Sequence, residues 1–285
     1  MMRLVIMAAA FMAVLTTAAG PALAQGFYML NFPENRITFG MTFSHINFAN
    51  RPELSTFSGL YKMRISYPVT SLNRLELALP VSYVNYDILR TNEIGQIIDN
   101  RFDQTAVGNL YIGYRTGLPY YGGPEMTFSF GIYLPTAEED KGLATGDGAF
   151  ADTYDMWAMM PNTLTIRGNM ALRQISPDGP FFEIELGPDV LSIDDGIDNE
   201  VELFMHYGLS SGIATGMFML RAELLALFIV TEDVQDFADR FLNTVAFGAM
   251  LTSYKIRPGL FYQKPLDDEL DFIDGIFGVK LEIVE

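Results

Sequence analysis

From Asn109 to Thr136 the chain alternates apolar and polar residues on both sides of the cluster Pro119-Tyr120-Tyr121-Gly122-Gly123-Pro124. Leu110, Ile112 and Tyr114 hold one parity, and Asn109, Gly113 and Arg115 hold the other. Beyond the cluster, Met126, Phe128, Phe130, Ile132 and Leu134 alternate with Thr127, Ser129, Gly131 and Tyr133. A strict period of two marks strands with one apolar and one polar face. The Pro/Gly cluster marks the turn between them. The unit is an antiparallel hairpin of about ten residues a side, the length of a tilted strand that crosses a bilayer.

The same pattern recurs along the chain. Further strands are expected at Arg36 to Asn47, Thr56 to Tyr67, Arg74 to Tyr83, Asn162 to Gln174, Phe182 to Val190 and Val201 to Leu209, then at Met217 to Val230, Val245 to Leu251, Ile256 to Gln263 and Ile273 to Ile283. The Leu, Ala and Met content of Met217 to Val230 suits a helix. Its parity, with Phe218, Leu220, Ala222, Leu224 and Phe228 opposing Arg221 and Glu223, argues for a strand. In the last strand Ile273, Phe277, Val279, Leu281 and Ile283 are expected outside, with Asp274, Lys280 and Glu282 inside. Two long polar connections stand out, Arg90 to Ala106 and the Gly- and Asp-rich Ala137 to Asp155. Short connections alternate with longer ones, the habit of outer-membrane barrels. The fold class predicted is all-β: a transmembrane antiparallel β-barrel of about 12 strands. A soluble β-sandwich is the competing architecture, but it uses shorter strands and no such alternation. Phe57, Tyr67, Tyr83, Tyr114, Phe128, Tyr207, Phe218, Phe228 and Tyr262 lie near strand ends and are candidates for interfacial girdles.

Composition agrees. The chain is 49% hydrophobic with 22 Phe and 14 Tyr, yet carries a net charge of −17. Apolar residues dispersed at every second position suit a barrel that is apolar outside and polar inside. The acidic balance argues against a nucleic-acid partner. The absence of cysteine excludes disulfides, metal–thiolate sites and a thiol nucleophile. At the N-terminus, Arg3, the apolar run Leu4 to Ala19 and the small-residue site Ala22-Leu23-Ala24 form a secretory signal. Residues 1–24 are therefore expected to be a signal peptide and residues 25–285 the barrel. Only Gln25 to Asn35 then precede the first strand, too little for a plug of the fatty-acid porin kind.

Parity assigns the lumen. Lys62, Arg64, Arg74, Arg115, Arg167, Arg173, Arg221, Lys255, Arg257 and Lys280 face inward, with Glu76, Glu183, Glu185, Asp189, Glu202, Glu223, Asp274 and Glu282. The candidate pore-lining set taken from these is Lys62, Arg64, Arg74, Glu76, Arg115, Arg167, Arg173, Glu183, Glu185, Glu202, His206, Arg221, Glu223, Arg257 and Lys280. The near balance of signs fits either an ion-pair network that stiffens a narrow barrel or a conduit whose charges set selectivity. Twelve strands lie between barrels filled by side chains and those with an open channel, so a narrow pore is expected. Acidic groups also gather in the loops, at Glu138, Glu139, Asp140, Asp147, Asp152 and Asp155, at Asp194, Asp195 and Asp198, at Glu232, Asp233, Asp236 and Asp239, and at Asp267, Asp268, Glu269 and Asp271. They read as a solvated surface, or as loop-bound Ca²⁺ or Mg²⁺ bridging to lipopolysaccharide phosphates. No spacing matches an EF-hand loop, and no cofactor is expected.

A hydrolase needs a nucleophile beside a base. No Gly-x-Ser-x-Gly elbow is present. Of the two histidines, His45 has lipid-facing parity near a strand end and His206 has lumen parity. Both read as structural, and no catalytic residue is assigned.

Gly108-Asn109-Leu110-Tyr111, the ending Leu134-Pro135-Thr136, Arg257-Pro258-Gly259-Leu260-Phe261 followed by Pro265-Leu266-Asp267, and Gly278-Val279 resemble motifs of the MetA-pathway of phenol degradation family of outer-membrane barrels. That family is similar in layout to long-chain fatty-acid porins. The resemblance implies a channel or transporter for small, often hydrophobic or aromatic, solutes. A structural or surface-adhesion barrel is the alternative, and an outer-membrane hydrolase the next. The expected setting is the outer membrane of a Gram-negative cell, with both termini in the periplasm. The expected partners are outer-membrane lipid, lipopolysaccharide, the barrel-assembly machinery and a small organic solute.

Overall fold

The computed structural model describes residues 27–29, 35–49, 57–91, 97–118, 124–176, 179–194, 199–231, 240–252 and 255–285. The expected signal peptide, most of the Pro119–Pro124 turn and the acids Asp195, Asp198, Glu232, Asp233, Asp236 and Asp239 lie outside them.

Among these residues one antiparallel sheet closes on itself. Its strands are β1 (Thr38–Phe48), β2 (Gly59–Pro68), β3 (Asn73–Thr91), β4 (Ile97–Val107), β5 (Leu110–Leu118), β6 (Glu125–Leu134), β7 (Thr163–Ile175), β8 (Pro180–Asp194), β9 (Asn199–Ala214), β10 (Phe218–Ile229), β11 (Phe241–Leu251), β12 (Ile256–Pro265) and β13 (Ile273–Val284). Closure comes where β1 pairs with β13, from Thr38 opposite Val284 to Phe48 opposite Ile273. The β2–β3 pairing completes the circuit.

Thirteen strands make a barrel of twelve staves, because β4 and β5 share one neighbour. Ala78 of β3 opposes Tyr111 of β5, while Val81 opposes Val107 of β4. The stave breaks between them at Gly108-Asn109. This revises one expectation: most of the anticipated polar loop Arg90 to Ala106 belongs to the strand Ile97–Val107 and the end of β3. From Val84 opposite Gln104 to Thr91 opposite Ile97 the two form a two-stranded ribbon past Tyr83, the last residue that β2 reaches. A ribbon beyond the bilayer needs no apolar face, so it lacks the alternation that marked the other strands.

The outer skin is apolar. Leu77, Ile166, Phe130, Phe247, Leu260 and Phe277 are exposed on it, Leu260 to 65%. A closed ladder pairs the backbone groups of each stave with its neighbours, the condition for crossing hydrocarbon. Phe57, Tyr67, Tyr114 and Phe218 of the expected girdles are exposed as well.

Parity fails locally at a β-bulge. The register shifts between Asn47 and Phe48, where Gly275 and Ile273 are the opposing residues and Asp274 is left over. An extra residue inverts every side chain beyond it. Asp274 is therefore exposed and Ile273 fully buried, the reverse of the expectation. Lys255, which precedes β12, is exposed rather than luminal.

The expected loop Ala137 to Asp155 turns inward. A 3-10 turn, Glu139–Lys141, leads into α1 (Gly142–Phe150) and then the 3-10 segment Thr153–Met159. Tyr154, Trp157, Ala158 and Met159 are buried against the inner wall, in clusters with Leu191, Phe204, Leu225, Leu227, Ile273 and Ile276. Burying a Trp ring and its neighbours supplies the drive that a solvated loop would lack.

Candidate functional site

The inward segment is fixed at the Gly108-Asn109 break. The Asn109 amide nitrogen donates from its side chain to the carbonyls of Trp157 (2.8 Å) and Met160 (2.7 Å). Its side-chain oxygen accepts from the backbone N–H groups of Thr136 and Ala137, both at 2.9 Å. Thr136 Oγ1 donates to the Gly108 carbonyl (3.0 Å) and accepts from the Leu110 N–H (2.9 Å). A Cβ on Gly108 would lie 2.3 Å from the Ala158 carbonyl oxygen, so only glycine fits there. Two of the motif fragments noted in the sequence, Gly108-Asn109 and Leu134-Pro135-Thr136, thus meet as one staple.

Charge completes the hold. Lys62 Nζ of β2 lies 2.6 Å from both Asp152 Oδ2 and Asp155 Oδ2. Arg167 of β7 reaches Asp155 Oδ1 at 2.9 Å and Asp189 at 3.4 Å. The Tyr133 hydroxyl donates to Asp155 (2.5 Å), and the Tyr154 hydroxyl to Glu185 (3.0 Å). Asp147, Asp152 and Asp155 are therefore buried, not the solvated loop acids expected from the sequence. Burial raises the Asp155 carboxyl, but Lys62 and Arg167 outweigh burial and hold it at about 2. At Asp152 burial prevails over Lys62, and the carboxyl is raised. Among the described residues no three His, Asp or Glu side chains are grouped to hold a metal ion.

Beside this segment lies a cavity of about 120 Å³. By the share of space a water needs, it holds on the order of ten waters. Eight of the candidate pore-lining residues line it: Lys62, Arg64, Arg74, Glu76, Arg115, Arg167, Glu185 and Lys280. Arg115 pairs with Glu76 at 2.8 Å and Lys280 with Glu282 at 2.9 Å. Arg74 donates to Thr38 Oγ1 (3.1 Å), to the Ser66 carbonyl (3.0 Å) and to the Arg36 carbonyl.

The remaining candidates are gathered elsewhere in the interior. Arg221 pairs with Glu183 (3.1 Å) and Glu223 (2.7 Å), and Arg173 with Glu125 (2.7 Å). His206 is fully buried with Nδ1 2.6 Å from Asp189, beneath the edge of the Tyr154 ring. No group hydrogen-bonds its Nε2 among the described residues. His45 is half-buried with Nδ1 2.7 Å from the Ser58 carbonyl oxygen. Arg257 is buried and Glu202 half-buried.

Phe27–Met29 also lie inside the barrel. Glu223 accepts the backbone N–H groups of Phe27 (3.1 Å) and Tyr28 (3.3 Å). Both rings lie against Phe261, at centroid distances of 5.5 and 5.4 Å. Gly208 and Gly248 leave room for Met29 and Phe27, since a Cβ at Gly248 would lie 2.3 Å from the Phe27 ring. Tyr111, Tyr133 and Tyr154 were not anticipated as site residues either. Their signal is the facing pair Gly113 and Gly131, over which the Tyr111 ring lies.

No protein-family model matches the chain, and no curated protein matches it. Solved structures do. The COG4313 outer membrane channel from Pseudomonas putida F1 superposes with a TM-score of 0.58 at 12% identity, over 92% of this chain and all of that one. The KdgM porin matches with a TM-score of 0.51 at 6% identity, over 86% of this chain and 98% of that one. The translocator domain of the autotransporter NalP from Neisseria meningitidis matches with a TM-score of 0.50 at 10% identity, over 89% of each chain. At such identities the likeness is one of fold: a closed antiparallel barrel of the outer-membrane kind.

Proposed function

We propose that the protein is an outer-membrane channel for small organic solutes. The observation that carries this reading is the charge-lined cavity inside a sealed barrel with an apolar skin. A polar conduit with fixed charges of both signs selects solutes by their own charge and size. The inward segment and Phe27–Met29 narrow it, so the solutes are small. Likeness in fold to a channel and a porin supports the reading. The finer assignment, to the MetA-pathway of phenol degradation family with hydrophobic or aromatic cargo, rests on the short motifs. The same reading includes the outer membrane of a Gram-negative cell, periplasmic termini, contact with lipid and lipopolysaccharide, and assembly by the barrel machinery. Swelling of proteoliposomes in a panel of aromatic and aliphatic solutes tests it. Uptake of small solutes supports it, and no swelling with any solute opposes it.

One observation favours a structural barrel instead. The lumen is crossed by ion pairs from the inward segment to Lys62 and Arg167, and by a hydrogen bond from Tyr154 to Glu185. In that case the purified protein passes neither solute nor ion.

A further inference from the structure

Most cavity cations are already engaged, and Arg64 is the exception. Lys62 holds Asp152 and Asp155, Arg74 holds backbone and hydroxyl oxygens, Arg115 holds Glu76, Arg167 holds Asp155 and Asp189, and Lys280 holds Glu282. Among the described residues Arg64 makes no hydrogen bond and no ion pair, although it lines the cavity and is half-buried.

The sheet register explains why its guanidinium has room. Arg64 is flanked by Gly40 on β1 and Ala78 on β3. A Cβ at Gly40 would make ordinary contact with Arg64, at 3.8 Å from its Cβ, and Gly40 lines the cavity beside it. The same row continues from Ala78 to Tyr111 and from Tyr111 to Tyr133, whose rings tilt together at 4.8 Å. Arg64, Tyr111 and Tyr133 all line the cavity, so a guanidinium and an aromatic pair face one space.

We propose that this row is a binding site for a small aromatic monocarboxylate, with Arg64 clamping the carboxylate and the Tyr111–Tyr133 wall receiving the ring. A guanidinium fork matches a carboxylate with two parallel hydrogen bonds, and it does so most strongly where water is scarce. Aromatic pairs add to this through offset and edge contacts. Glu76 stands near Arg64 and already serves Arg115. Its negative charge admits a monoanion and repels a dianion. The proposal rests on the channel reading and narrows it to a solute class.

Calorimetric titration of the folded mature protein in detergent with sodium benzoate, acetate and benzyl alcohol tests the site. Benzoate should bind, acetate at least several-fold more weakly, and benzyl alcohol not measurably. Arg64→Met should weaken benzoate about tenfold or more, the worth of a charge-assisted hydrogen bond. Arg64→Lys keeps the charge without the fork and should fall between. Gly40→Leu leaves Arg64 in place, puts a branched side chain into the cavity beside it and should abolish binding. Heat-modifiable electrophoretic mobility confirms that each variant is a folded barrel. Benzyl alcohol binding as tightly as benzoate, acetate matching benzoate, or benzoate affinity within twofold in both Arg64→Met and Gly40→Leu overturns the proposal. A protein that binds benzoate but passes no solute keeps this site and loses the channel. One that passes solutes without binding benzoate keeps the channel and loses this site.

Discussion

Asn109 and Trp157 are joined by a hydrogen bond of 2.8 Å from the Asn109 side-chain nitrogen to the Trp157 carbonyl. They belong to different layers of the molecule, Asn109 to a break in the wall and Trp157 to the segment that the wall encloses. The same buried amide also holds Met160, Thr136 and Ala137. Asn109→Ala strips partners from several groups at once, at about 1–3 kcal/mol for each one left buried and unsatisfied. The expected outcome is release of the inward segment with the barrel intact. Trypsin at Lys141 checks it: cleavage should be slow in the wild type and at least several-fold faster in the variant.

Trp157 is the chain's one tryptophan, fully buried with its ring 5.1 Å from Phe204. Its fluorescence therefore reports on the inward segment alone. Phe204→Ala should shift the emission to the red and raise acrylamide quenching. Removing a buried aromatic ring costs about 3–5 kcal/mol. An unchanged spectrum would mean that the two rings do not pack.

Acid should open the same latch. Burial raises the Asp155 carboxyl, but Lys62 and Arg167 hold it at about 2, below the value in an unfolded chain. A depressed carboxyl contributes stability above its unfolded pKa and loses it as pH falls through the folded one. Trp157 emission should be flat from pH 8 to about pH 5, then move to the red between about pH 4 and pH 2. Asp155→Asn should shift it already at neutral pH, because breaking a buried pair from one side costs about 3–5 kcal/mol. Emission that stays constant down to pH 2 would show that the pairs with Asp155 do not hold the segment.

At Gly248 a Cβ would stand 2.3 Å from the Phe27 ring. Gly248→Val should expel Phe27–Met29 from the lumen without disturbing β11, whose neighbours accept a branched residue. Chymotrypsin should then cut after Phe27 or Tyr28 in the variant and spare the wild type. Equal cutting of both would place this segment outside the barrel.

Much of the wall was legible in the sequence, because one physical rule governs it. On β8, Phe182, Ile184 and Leu186 face outward while Glu183, Glu185 and Asp189 face inward, as parity requires. The rule holds even for β10, whose composition suits a helix. It misleads where the sheet is irregular, at Asp274 beside the bulge, and it is silent where a ribbon leaves the bilayer, at Ile97–Val107. The cavity was half legible. Its charged walls followed from alternation, but its contents did not. Asp152 and Asp155 read as solvated loop acids, since nothing local records that Lys62 waits some ninety residues away. The inward apolar residues Leu225 and Leu227 break the polar-inside rule because they face Trp157 and not water. Sequence periodicity reports the solvent a residue meets, and here part of that solvent is the chain itself.

The central claim is that a sealed barrel is narrowed to a small charged cavity by its own inward segment. Single-channel conductance in planar bilayers, comparing the wild type with Asn109→Ala, tests it most directly. The account predicts a small conductance in the wild type and a several-fold larger one once the staple is cut. A wild-type opening as large as a general porin's, or a conductance unchanged by Asn109→Ala, would contradict it.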